Sequence, residues 1–168
     1  MAQVAGSNLG VTFPLKRIIF GSYRNDVIIV APQCPLDKRW VETDWTPGGY
    51  KIDEVPQSVP SKLAASLLYN EIFQKYSVDL SRVYGAGISM GGFGITDMAM
   101  RYPDLFAAAI PVCGGCDPET APLLKDVAIW SFHCANDPTV PYEYNLEMYE
   151  RLTELGLSLI HISEPTRR

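Results

Sequence analysis

The chain has 168 residues, 47% apolar and 20% charged, the makeup of one ordinary globular domain rather than a disordered segment. Its net charge is −5 with no cluster of Lys or Arg, which argues against nucleic acid or an anionic membrane as partner and favours a small or neutral substrate. No apolar run approaches the roughly 18 residues of a membrane helix, and Met1 to Gly10 lack the charged and apolar regions of a signal peptide.

In chain order, Asp26–Pro32 is a short, continuous apolar run closed by proline, the pattern of a strand buried in a parallel sheet. Residues 33–60 show no period and read as a long loop near the carboxyl ends of the strands. Its aromatics Trp40, Trp45 and Tyr50 either line an acyl or sugar pocket or pack the loop onto the domain. Residues Pro60–Tyr76 predict a helix with Leu63, Leu67, Leu68, Ile72 and Tyr76 on its apolar face. Arg82–Ile88 predicts a second strand, Gly92–Tyr102 a helix stopped by Pro103, and Ala107–Val112 a strand that contains Pro111. Val127–Phe132 predicts another strand and Tyr142–Leu155 a helix with Gly156 as its stop. Strands alternating with helices at this spacing imply βαβ units in one domain, with a parallel sheet and right-handed crossovers.

The chemistry-bearing motif is Gly87-Ile88-Ser89-Met90-Gly91, between a predicted strand and a predicted helix. Serine is a poor nucleophile in water, so its hydroxyl must be held at a sharp turn beside a base, with amide donors facing the developing oxyanion. Glycines at 87 and 91 leave room for such a turn, and the Met90 amide is the candidate oxyanion donor. The candidate acid is Asp137, in the polar run after the Val127 strand, where it follows the nucleophile in the order that this motif requires. The competing reading of Asp137 is a turn cap.

Four cysteines, Cys34, Cys113, Cys116 and Cys134, are too few and too scattered for a disulfide-dense scaffold. Cys113-Gly-Gly-Cys116 has redox or metal spacing, but no second pair completes a zinc set and the run follows a strand instead of opening a helix. Small packing residues or an incidental disulfide are the alternatives. Neither a metal nor an organic cofactor is expected.

Ala31–Pro35, Asp79–Arg82, Gly87–Gly94, Arg101–Ala107 and Phe132–Pro141 together resemble the α/β-hydrolase superfamily. The resemblance is to its predicted carboxylesterases and peptidases, a group similar to dienelactone hydrolases, feruloyl and acetylxylan esterases and polyhydroxybutyrate depolymerases. It implies an α/β architecture, a partial α/β-hydrolase fold with a mostly parallel sheet and helices on both faces. It also implies a serine esterase with Ser89 and Asp137 as catalytic residues, acting on a small-molecule or carbohydrate-linked ester. A serine peptidase of the same fold, or a non-catalytic fragment or binding module, are the rival readings. Members often carry His-Gly where this chain has His133-Cys134.

Two parts of the family pattern are missing. No His-Gly-rich oxyanion loop precedes Asp26, which leads to the expectation that the parent chain begins upstream of Met1. No His in a Gly-rich loop follows the acid. His133 precedes the acid and reads as structural, whereas His161 lies in Leu157–Arg167, a string that resembles, residue for residue, a translated transposon adapter of sequencing libraries. Residues 1–156 are therefore expected to form the partial catalytic domain and 157–168 a non-native tail, with the triad base absent and the chain inactive as it stands.

Overall fold

The computed structural model describes residues 27–157 and the backbone of 159–164. A four-stranded parallel sheet runs in the order β1 (Tyr84–Ile88), β2 (Ala108–Val112), β3 (Ala128–Cys134), β4 (Leu159–Glu164). Registers are parallel throughout, with Gly85 opposite Ala109, Val112 opposite Phe132 and Ile129 opposite Leu159. An open parallel edge accepts any extended apolar segment, so the place of β4 beside β3 is no guide to the origin of residues 157–168.

Pro111 sits in a central strand, where proline is unusual. It lacks an N–H, and the β2–β3 register skips positions 110 and 111 while β1 pairs along the whole length of β2. The ladder is broken on one side only.

The chain reaches β1 through helix α1 (Val59–Ser66), a π-helical stretch (Leu67–Ile72) and a last turn (Phe73–Lys75). Ser58 caps α1 by accepting from the Ser61 amide at 3.2 Å and donates its hydroxyl to Trp40 O at 2.7 Å. The buried face of α1 is Pro60, Ser61, Ala64 and Ala65, not the predicted leucine stripe, for Leu63 is 64% and Tyr76 55% exposed. Small residues win because this face lies close against the following helix and the Trp40 loop.

Helix α2 (Met90–Arg101) follows β1 directly, and α3 (Glu143–Glu154) follows the loop after β3. Gly156, at φ 74°, ends α3 with bonds from its own amide to Thr153 O and from the Leu157 amide to Leu152 O, the paired C-cap that glycine favours. Alternation along β1, β2 and β3 buries Gly85, Gly87, Ala109, Pro111, Ser131 and His133 on the helix-covered face. The opposite face, with Tyr84, Ala86, Trp130 and Phe132, is half-buried to exposed.

The run at Val27–Pro32 forms no strand: within the described residues it is irregular, and Val27, Ile28 and Ile29 are 60%, 50% and 38% exposed. Among the described residues nothing pairs with the outer edge of β1, and without ladder partners an apolar run has no reason to be a strand. Residues 33–58 are loop and turn as predicted, and their aromatics pack inward. Trp40 and Tyr50 are buried, while Trp45 packs against the core and carries the Arg39 guanidinium 4.6 Å above its ring.

Candidate active site

β1 ends at Ile88 and α2 begins at Met90, so Ser89 alone makes the turn, at φ 54° and ψ −119°. An L-residue adopts that conformation only when its surroundings force it. The force comes from both sides. The Ser89 amide donates to Val112 O of β2 at 2.7 Å, while its carbonyl accepts from the Phe93 amide of α2 at 3.1 Å. A Cβ on Gly87 would stand 2.1 Å from Gly91 O, and one on Gly92 would stand 2.8 Å from Val112 O. Glycine at these positions lets the helix enter hard against the sheet.

The Ser89 hydroxyl makes no hydrogen bond among the described residues, and the side chain is half-buried. Met90 is the first residue of α2, so its amide has no carbonyl one turn back to bond. The positive end of the helix dipole adds to that donor.

Asp137 follows the carboxyl end of β3, separated from the Ser89 strand by β2, or about 10 Å of sheet. Its amide donates to Cys134 O at 3.1 Å. Its Oδ1 accepts from the Thr139 amide at 2.9 Å and the Val140 amide at 3.0 Å, so it caps this turn. Oδ2 takes no part in the cap and stands 3.8 Å from His133 Nε2.

His133 is buried and both ring nitrogens are engaged. Asn145 of α3 donates through Nδ2 to His133 Nδ1 at 2.6 Å and also to Gly114 O. That assigns the proton to Nε2, which donates to Val140 O at 2.9 Å. Consistent with the sequence reading, His133 is a structural bridge, here between β3, α3 and the Asp137 turn. Nothing in the order of the residues predicts Asn145 as its partner; the one signal is a polar residue on the buried stripe of α3. The His161 side chain lies outside the described residues.

A second buried group fixes the loop beside α2. Tyr50 Oη donates to Asp97 Oδ1 at 2.9 Å, and Arg101 Nε reaches the same carboxylate at 2.9 and 3.0 Å. Arg101 Nη2 donates to Val55 O at 2.6 Å. Burial pushes the Asp97 carboxyl up, against the pull of Arg101 and Tyr50, and pushes the Tyr50 phenol well up, with the Asp97 charge adding to it.

Cys116 is buried, donates to Tyr144 O at 3.3 Å, and is pushed far up by that burial, so it has the character of a packing residue rather than half of a redox pair. Among the described residues no group of three His, Cys, Asp or Glu side chains could hold a metal, and no helix is long and apolar enough to cross a membrane.

No protein-family model matches the chain. Over 53 residues it is 43% identical to the poly(3-hydroxyalkanoate) depolymerase C of Paucimonas lemoignei, a stretch that is 32% of this chain and 13% of that one. The structure is similar to a thermostable esterase, at 33% identity and a TM-score of 0.69, covering 81% of this chain and 35% of the esterase. It also superposes on the acylaminoacyl peptidase of Pyrococcus horikoshii, at 16% identity and a TM-score of 0.53, over 64% of this chain and 23% of the peptidase. The chain thus spans about 35% of the esterase's length and 13% of the depolymerase's. With its parallel strands, its helices and these neighbours, the chain carries a partial α/β-hydrolase fold, the fold of esterases and acylaminoacyl peptidases.

Proposed function

We propose that this chain is the nucleophile-bearing part of a serine hydrolase that cleaves carboxylic esters through an acyl-enzyme on Ser89. One observation carries the reading: Ser89 is forced to φ 54° at the β1–α2 turn by glycines that admit no side chain, a strain with a use if the serine is a nucleophile. In the reaction the Ser89 hydroxyl attacks the ester carbonyl and a histidine takes its proton. The Met90 amide donates to the tetrahedral oxyanion, the alcohol leaves, and water releases the acyl group. Asp137, through the oxygen left free by its turn cap, would orient that histidine. Both ring nitrogens of His133 are committed elsewhere, so His133 is not the base. The mechanism needs no metal or organic cofactor, and the ester is a small molecule or is carbohydrate-linked.

Among the described residues no histidine is placed to take the Ser89 proton, and lack of a triad member costs about 10⁴-fold or more in rate, so little turnover is expected. The test is a fluorophosphonate probe with peptide mapping, beside paired assays on a nitrophenyl acetate and a peptide nitroanilide. Slow labelling confined to Ser89, absent in Ser89→Ala, with whatever turnover remains directed at the ester, is the expected result. Labelling elsewhere, ester turnover that survives Ser89→Ala, or a preference for the anilide would overturn the reading.

A further inference from the structure

The buried Tyr50–Asp97–Arg101 group takes no part in the proposed chemistry, yet the segment that it holds runs up to the Asp137 turn. Residues 50–55 are fastened twice. Asp97 of α2 takes the Tyr50 hydroxyl and the Arg101 guanidinium, and Arg101 reaches on to Val55 O. Beyond β2, the buried Asp117 accepts from the Ile52 amide at 2.9 Å, and Lys51 pairs with Glu119 at 2.8 Å. Tyr50 is 7% exposed, its ring lies 6.4 Å from that of Phe93, and its amide donates to Cys116 O at 3.3 Å. Burial pushes its phenol well up, so the hydroxyl remains a donor at neutral pH.

Immediately before this anchor, Gly48 and Gly49 form a wedge. Gly49 bridges to Cys116 in the loop after β2, and a Cβ on Gly115 of that loop would strike Gly48 O and the Phe93 ring. The same two glycines meet the chain on its way into α3: a Cβ on Gly48 would strike Pro141 O, and one on Gly49 would strike the Tyr144 ring. Gly48 stands at φ 74°, a backbone that favours glycine. Pro141 follows directly on the turn in which Asp137 Oδ1 holds the Thr139 and Val140 amides and His133 holds the Val140 carbonyl. The wedge therefore touches both the loop that follows Val112, whose carbonyl takes the Ser89 amide, and the turn that carries Asp137.

We infer that Tyr50 is a positioning residue for Asp137: anchored on Asp97, it seats the Gly48–Gly49 wedge against both the loop after β2 and the turn after β3. It thereby fixes where the Asp137 carboxylate stands relative to Ser89. This rests on the reading of Asp137 as the acid of the proposed hydrolase, whereas the mechanical link belongs to the chain alone. Close-packed backbone passes on a displacement because no rotamer change can absorb it.

The test is amide hydrogen exchange and amide chemical shifts by NMR on the full chain, wild type against Tyr50→Phe, which removes one hydroxyl and keeps the ring. Thr139 and Val140 are expected to shift and to exchange about 5- to 10-fold faster, while Ala109 in the sheet is unchanged. Gly48→Ala, which displaces the wedge itself, is expected to move the same two signals and decides alone should Tyr50→Phe not fold. The inference is overturned if Thr139 and Val140 do not respond, or if Ala109 accelerates by the same factor, which is general loosening. No turnover is needed, so the outcome is separate from the hydrolase reading. Responsive amides beside a Ser89 that no fluorophosphonate labels would keep the link and remove its catalytic meaning. A labelled Ser89 with unmoved amides would remove the link alone.

Discussion

Ser89 stores strain that removal of its side chain can release. Its φ of 54° and ψ of −119° belong to a region that costs a β-carbon-bearing residue about 1–3 kcal/mol. Glycine bears no such cost but loses more entropy on folding, by roughly 0.5–1 kcal/mol. Ser89→Gly should therefore raise stability by about 1 kcal/mol in urea unfolding, whereas Ser89→Ala, which keeps the Cβ, should leave the midpoint nearly unchanged. Equal midpoints for the two variants would show that the turn is unstrained. The opposite experiment is Gly87→Ala. Its new methyl would meet a backbone carbonyl at 2.1 Å, which no rotamer change relieves, so a loss of about 3 kcal/mol or more is expected. A cost below about 1 kcal/mol would mean that α2 can move off the sheet.

At the scale of elements, the link between β3 and α3 is the most vulnerable polar feature. Asn145→Ala would leave His133 Nδ1 and Gly114 O buried without their donor, at about 1–3 kcal/mol by urea unfolding. Ser131 is the internal contrast. Its Oγ is buried with no partner among the described residues, so Ser131→Ala should be neutral or slightly stabilising. Equal losses for the two variants would mean that burial, and not pairing, sets the cost.

These elements also show what the sequence could reveal. The β1–Ser89–α2 unit is legible because a strand, two glycines and a helix start are all local signals within one short stretch. Asp137 is legible as a candidate because it follows Ser89 in the required order and sits after an apolar strand. The Asn145–His133 bond is not legible, since it joins residues 12 apart on two different elements. Val27–Pro32 reads as a strand because hydrophobicity is local, but a strand needs a neighbour, and that neighbour is not encoded in the run itself. The leucine stripe of α1 misleads for a related reason: Ala64 and Ala65 fit the close contact with α2, and periodicity does not measure closeness.

Among the described residues the two sheet faces differ. Helices cover the sheet face that holds Gly85, Ala109 and Ser131, and the other face presents Tyr84 at 65% and Trp130 at 42% exposure beside half-buried Ile110, Val112 and Phe132. An apolar surface of this continuity is unusual on a monomer. The outer edge of β1 adds unpaired backbone donors and acceptors among the described residues. Both features predict the same outcome, association of the chain with itself, and their shares can be separated. If the face drives it, Trp130→Lys, remote from the β1 edge, should shift the chain toward monomer in sedimentation velocity at micromolar concentration. If the edge drives it, Trp130→Lys should do little, and a proline at Ala86, where it removes an N–H from β1, should be the variant that dissociates the assembly. A monomer that fails to bind a hydrophobic dye would show instead that this face is covered, and both variants would then leave its sedimentation unchanged.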